Sequence, residues 1–333
     1  MFSQAFLAAV AVYLILNIGS FMNLPYRASQ ALINTPELYT LSKTLIATGD
    51  KDKTGWKHLI DCLTKLPAVS HFLLEYHLGK DRIDYAVPIE TPVSLMRHAI
   101  QSDDPLDCLA EQWKINSCFA SYISAIWLEY DCPSQSLYPS VFLDLDRFDS
   151  LALSTLLSTL HKALIHASIA QEISNRLISL YHQISEFAFI KHIGIMYSRS
   201  EKTVRVSLTV FHLDYLYQLL EICDITISAA VLSKLKTIWP LSDYFVVGIE
   251  LNKDNIHCSG IECHVSRSED QEKYWERFTQ KVSQINSISP SITNYLRIWE
   301  PIQCKHMLAQ WNHLKFNWHA EELSVKAYLT LAV

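Results

Sequence analysis

Five times along this chain a stretch of alternating apolar and polar residues is followed, after a short polar break, by a second such stretch. The leading stretches are HFLLEYHL (71–78), AIWLEYDC (125–132), HIGIMYSR (192–199), VVGIELNK (246–253) and HLKFNWHA (313–320). Their partners are RIDYAVPI, SVFLDLD, TVRVSLTV, HCSGIECHV and SVKAYLTL. Period-two alternation predicts strands buried on one face, and the short breaks predict hairpins. Aligning the leading strands places Glu75, Glu129, Met196, Glu250 and Asn317 in register, separated by 54, 67, 54 and 67 residues. One supersecondary unit recurring at a near-constant period specifies a repeat-built fold.

Helical patterns fill the intervals. Leu153, Leu156, Leu157, Leu160 and Leu164 recur at three- and four-residue steps, and Ile173, Leu177, Leu180, Tyr181 and Ile184 continue as a second helix. Leu213, Leu216, Leu219 and Leu220 open another pair, which runs on through Val231, Leu235 and Ile238. Trp275, Phe278, Val282 and Ile285 mark a last helix, with acidic residues at 269–272 suited to its N-terminus. Pro67, Pro92, Pro105, Pro240 and Pro290 punctuate boundaries. Five helix–strand–strand units give ten strands, and hairpin connections make them antiparallel. A sheet that wide, with helices on one face only, curls until its edges meet. The expected fold is α+β: a closed ten-stranded antiparallel β-barrel surrounded by helices. It occupies residues 55–333 as one domain, after an N-terminal apolar or helical segment, 1–54.

Bulk properties narrow the function. The net charge is −6 and no basic run occurs, which argues against nucleic acid as a partner. Only seven glycines are present, and none forms GxGxxG, GxxxxGK[ST] or GxSxG, so Rossmann, P-loop and α/β-hydrolase chemistry are poor fits. Eight cysteines show neither CxxC nor finger-like spacing; they read as thiols of a reducing, cytoplasmic compartment and not as metal ligands. Residues 1–26 carry no charge, and AFLAAVAVYLILNIGSF (5–21) is strongly apolar but short of the roughly 20 residues a spanning helix needs. Three readings stand for it: a buried extra helix, a membrane-associating anchor, or an upstream extension with the native start at Met22.

Strand parity sorts the side chains. With helices outside, the apolar set faces out: Phe72, Leu74, Ile126, Leu128, Ile193, Val247, Ile249, Leu314 and Phe316 among others. The lumen then receives His71, Glu75, His77, Trp127, Glu129, Asp131, His192, Gly194, Met196, Glu250, His313, Lys315 and Asn317. The return strands add Arg82, Asp144, Arg205, Ser207, Gly260, Glu262, Lys326, Tyr328 and Thr330. An interior this rich in acids and bases holds water or a polar ligand; the alternative is a lumen of charge pairs without a ligand.

The architecture resembles the ABBA, or prenyltransferase-barrel, family of aromatic and peptide prenyltransferases. FLLEYHLGKDRIDYAVPIETP (72–92) is similar to the family's first repeat, with Glu75 on the first strand, Arg82 on a basic return strand and a proline turn at Pro88. SVKAYLTL supplies a K-x-Y pair, Lys326 and Tyr328, of the kind the family uses for diphosphate. Repeats two to four depart from this, carrying Phe142–Asp144, Arg205–Ser207 and Gly260–Glu262 in the corresponding places. The resemblance implies transfer of a prenyl group from an allylic diphosphate to an aromatic small molecule or peptide side chain, through a shielded carbocation. Arg82, Arg205, Lys315 and Lys326 would hold the diphosphate, with Mg2+ as a further neutralising ion. Trp127 and Tyr328 would shield the cation. Glu75, then Glu129, would take the acceptor proton, each being equally readable as a salt-bridge partner. His192 and His313, in the same register, would bind diphosphate or simply hydrogen-bond in the wall. The competing reading is a non-prenylating barrel that binds a small molecule or peptide in natural-product biosynthesis. DDPLD (103–107) matches the DDxxD of all-helical prenyl synthases, but Pro105 and the lack of a second copy make it a loop or a helix N-terminus.

Overall fold

A computed structural model describes residues 57–60, 62, 71–78, 80, 82–99, 105–132, 138–145, 150–164, 167–196, 203–252, 255–264, 271–286, 296, 302–304, 307–319 and 322–332. The apolar segment 5–21, and with it the whole of 1–54, lies outside the described residues.

In chain order the elements are β1 (His71–His77), β2 (Ile83–Ile89), α1 (Pro92–Met96), α2 (Pro105–Ile115), α3 (Ser117–Tyr122), β3 (Ile123–Tyr130) and β4 (Ser140–Leu145). Then come α4 (Ser150–Leu164), α5 (Ala167–Ile184), β5 (Phe189–Ile195), β6 (Val204–Val210), α6 (Leu213–Ile222) and α7 (Ala229–Ile238). A turn of 3₁₀ helix (Trp239–Leu241) leads into β7 (Tyr244–Leu251), β8 (Ile256–His264) and α8 (Gln271–Asn286). The chain finishes with β9 (Ile302–Cys304), β10 (Met307–His319) and β11 (Glu322–Ala332).

Ten strands, β1 to β8 with β10 and β11, pair antiparallel with their neighbours. β11 returns to β1, from His71 opposite Ala332 to His77 opposite Lys326, so the barrel closes. One addition was not expected: the three residues of β9 pair with Met307–Ala309, where β10 begins upstream of the predicted strand. The reason lies in the length of β10, whose N-terminal half leaves an edge that β9 covers.

Local chemistry sets the helix boundaries. Thr91 caps α1 by accepting from the Ser94 amide, with Pro92 in the first turn, where no amide donor is needed. Asn116 caps α3 through the Phe119 amide at 3.0 Å, and Ser228 caps α7 through that of Val231 at 3.3 Å. Of DDPLD, the first two residues lie outside the described residues, and the rest opens α2, which starts at Pro105 with Asp107 in its first turn and Lys114 in its last. No described helix is long and apolar enough to cross a membrane.

The hydrophobic core lies between barrel wall and helices. Phe72, Leu74, Ile126, Leu128, Ile193, Val247, Ile249, Leu314 and Phe316 are all at most 1% exposed and belong to the cluster that includes Leu156, Leu177, Leu219, Leu235, Trp275 and Phe278. Trp275 is tied in further by its indole N–H, which donates to the Leu296 carbonyl at 2.6 Å. With the outward parity spent on this core, the opposite parity is left to line the lumen.

Candidate active site

The lumen wall is built from polar side chains of one parity, and they gather into four clusters. The first joins the seam strands. Glu75 on β1 lies opposite Tyr328 on β11, and His77 lies opposite Lys326. The Lys326 ammonium and the Tyr328 hydroxyl both donate to the Glu75 carboxylate. His77 Nε2 lies 3.3 Å from Glu75 and 2.8 Å from Asp84 on β2. Asp84 also accepts from the Arg82 guanidinium, and from the Cys132 amide at 2.8 Å. Arg82 reaches on to Asp131 at 2.6 Å, at the rim, where its side chain is 41% exposed. Burial would raise the Glu75 carboxyl, but Lys326 and the His77 hydrogen bond outweigh it and hold it well below the usual carboxylate range. His77 moves the other way: burial opposes its charge, but Asp84 and Glu75 raise it.

A second cluster spans β8 and β10. Lys315 Nζ lies 3.1 Å from one oxygen of Glu262, and His264 and His313 approach the other at 3.5 and 3.6 Å. Gly260 makes room for this reach. Its φ is +142°, and a Cβ there would lie 3.0 Å from Lys315 Cε and overlap the Asn317 side chain. Burial would raise Glu262, but Lys315, with help from the two histidines, keeps it well below its normal value. Burial also disfavours both imidazolium forms, lowering His264 to about 4 and His313 well below its ordinary range. The rings of Tyr244, His264, His313 and Tyr328 stack in a row across β7, β8, β10 and β11, at centroid spacings of 4.6, 4.2 and 4.1 Å.

Arg205 on β6 organises the third cluster. It binds Glu250 on β7 through Nε at 2.9 Å and through a second, shorter bond, and lies 4.0 Å from Glu129 on β3. Its guanidinium carbon sits 5.7 Å from the centre of the Phe142 ring, which occupies the space left by the missing side chain of Gly194. Glu129 differs from Glu75 and Glu262: burial, with Glu75 adding to it, outweighs Arg205 and raises its carboxyl. In the fourth cluster, His192 pairs with Asp144 at 3.1 Å and Trp127 donates to the same carboxylate. Burial would raise Asp144, but His192 brings it down to about 2.

The sequence-derived candidates therefore divide. Glu75, Lys326 and Tyr328 form one hydrogen-bonded unit, and Lys315 and Lys326 are direct cross-strand partners. His192 and His313 do not act as a matched pair, because Asp144 engages one and Glu262 the other. Asp84 and His264 join these lumen residues, each sharing the parity of a neighbour two positions away, Arg82 and Glu262. His257 was hidden by the fold. A bulge after Gly248 puts Gly260 opposite Gly248 but Cys258 opposite Ile249, so parity flips and His257 comes to Glu250 at 3.2 Å.

Chemically, this lumen offers fixed cations beside π faces, but every one of Arg82, Arg205, Lys315 and Lys326 is already held by a carboxylate. Carboxylates outnumber these four cations: Glu75, Asp84, Glu129, Asp131, Asp144, Glu250 and Glu262 all line the lumen or its rim.

No protein-family model matches the chain, and no curated protein matches it. Solved structures do. AnaPT from Neosartorya fischeri matches over 89% of this chain and 90% of its own, with a TM-score of 0.51 at 12% identity. NotF, solved in complex with brevianamide F and DMSPP, matches over 91% of this chain and 96% of its own, with a TM-score of 0.51 at 9% identity. The chain has the fold of these barrels, the ABBA prenyltransferase architecture.

Proposed function

We propose that this barrel transfers a prenyl group from an allylic diphosphate to an aromatic acceptor, either a small molecule or a peptide side chain. The observation that carries the reading is the Lys315–Lys326 pair: two lysines opposite one another on the β10–β11 hairpin, which also carries the stacked Tyr328 and His313 rings. The allylic C–O bond breaks with its electron pair leaving on the diphosphate, whose charge the two lysines and Arg205 offset. The carbocation left behind lies against the π faces of Tyr328 and Trp127 and is attacked by the electron-rich acceptor. The acceptor's displaced proton goes to a carboxylate.

Glu129 suits that last step better than Glu75. Lys326, Tyr328 and His77 hold Glu75 as a stable anion, a weak base, whereas the Glu129 carboxyl is raised, with Arg205 no nearer than 4.0 Å. Donor binding also changes the balance. A lysine that turned to phosphate would leave its glutamate, and Glu75 would then be an oxygen ligand available to a Mg2+ ion accompanying the diphosphate.

The excess of lumen carboxylates favours a second reading, a barrel that binds an amine-bearing small molecule or peptide without transferring anything. Thermal-shift titrations with dimethylallyl, geranyl and farnesyl diphosphate, with and without Mg2+ and against inorganic pyrophosphate, separate the two. A saturable rise selective for one allylic donor, lost in Lys315→Met/Lys326→Met, supports transfer. No shift with any diphosphate, from folded protein, removes it in favour of the binding barrel.

A further inference from the structure

Within the lumen, two imidazole nitrogens and one carboxylate oxygen converge. His264 Nε2 and His313 Nε2 approach the same atom, Glu262 Oε2, at 3.5 and 3.6 Å, and the three donors lie within 4.8 Å of one another. A divalent ion with bonds of roughly 2.0–2.1 Å in tetrahedral arrangement separates its ligands by about 3.4 Å. Both nitrogen–oxygen edges therefore already fit within a few tenths of an ångström. The nitrogen–nitrogen edge requires the stacked rings, now 25° apart in plane, to tilt toward one another.

We propose that Glu262, His264 and His313 form a binding site for a divalent transition-metal ion such as zinc or cobalt, with its remaining position open to the lumen. Two imidazoles and a carboxylate suit these ions better than Mg2+ or Ca2+, which take oxygen donors. Three protein ligands leave a position for water or a substrate oxygen. The supporting contacts are in place. Lys315 holds the other Glu262 oxygen at 3.1 Å, which aims Oε2 at the histidines, and the outer rings of the stack, Tyr244 and Tyr328, brace the imidazoles from either side.

A second cluster, Glu75, His77 and Asp84, brings three such donors equally close. It is the poorer site. Glu75 is engaged by Lys326 and Tyr328, Asp84 accepts from Arg82 and from the Cys132 amide, and only one imidazole is present. The inference does not depend on prenyl transfer, since the ion would bind the same atoms in a barrel that only takes up a ligand.

The test uses the full chain, stripped with chelator and then titrated with Co2+ while visible absorption is followed, with Zn2+ as competitor and no diphosphate present. One tightly bound equivalent with the intense bands of low-coordinate cobalt is expected, displaced by Zn2+. His264→Asn and Glu262→Gln should each weaken binding by more than the roughly 10–100-fold typical of losing a supporting partner. His77→Asn should leave it within twofold. Circular dichroism of each protein establishes that it is folded. Absence of binding by folded wild-type protein overturns the proposal. So does binding that survives His264→Asn and is lost in His77→Asn, which would assign the ion to the other cluster.

Discussion

Replacing Lys326 with Met tests the electrostatic description of the seam, because it removes one charge from a pair that is nearly shut off from water. The Glu75 side chain is 9% exposed and that of Lys326 20%. Removing one partner of a buried pair costs about 3–5 kcal/mol, and the partial exposure of Lys326 puts the loss near the lower end, about 3 kcal/mol. Its pH dependence is the distinctive part. In the wild type, Glu75 is held below its normal 4.5, so its pairing stabilises the fold above that pH and the contribution is lost as pH falls through the folded value. In Lys326→Met the largest of the influences that lower Glu75 is gone, so burial is less opposed and the folded value rises. The variant is then least penalised in acid, where Glu75 is protonated or His77 is charged beside it, and weakens as pH rises. Urea unfolding at pH 5 and pH 8 measures this. With a slope of about 3 kcal/mol per molar, the midpoint should fall by roughly 1 M at pH 8 and by less than half that at pH 5. Adding Glu75→Gln should recover most of the loss at pH 8, since the carboxylate left without its lysine is then gone. A deficit equal at both pH values, or one that Glu75→Gln does not relieve, would refute the reasoning.

Gly194→Ala would put a methyl inside the contact distance of the Phe142 ring, 2.9 Å from Cγ, and should cost about 1–3 kcal/mol in thermal unfolding, largely rescued by Phe142→Leu. His192→Asn removes the group that brings Asp144 down to about 2. Carboxyl NMR should show Asp144 titrating at higher pH, and the acid limb of stability should move up with it, because a depressed carboxylate stabilises only above its folded value. Glu129→Gln should lower kcat for prenyl transfer by roughly 10²–10⁴ with donor KM within twofold. It should also abolish an acid limb of kcat/KM lying above the ordinary carboxylate range, the consequence of the raised Glu129 carboxyl.

The barrel could be read from the chain because alternation is a local property that survives folding intact. Leu74 and Glu75, or Phe316 and Lys315, sit on opposite faces whatever their partners. Parity therefore assigned Glu75, Glu129, Arg205, Glu250, Lys315 and Lys326 inward without knowledge of the sheet. Who pairs with whom depends on register, which adjacency in sequence does not encode. Lys326 with Glu75, and His313 with Glu262, are products of the strand order. His257 shows the limit most clearly, since one inserted residue at a bulge inverts the assignments on its far side. The short strand at Ile302–Cys304 carries too few residues for any period to be detected.

The barrel is closed by pairing the first strand with the last, and the Glu75–Lys326 and Glu75–Tyr328 bonds join residues 251 and 253 positions apart. During synthesis, β1 must therefore wait until the 251 positions separating Glu75 from Lys326 have been made before its outer edge is covered. Until then the growing sheet is an arc with two exposed edges, the form most prone to join a neighbouring chain. The β10–β11 hairpin, made after the other eight barrel strands, brings Lys315, Lys326, Tyr328 and His313 together, so assembly of the lumen and closure of the barrel are one event. A chain lacking residues 322–332 would lose β11, and with it both the seam and the cross-strand bonds to Glu75.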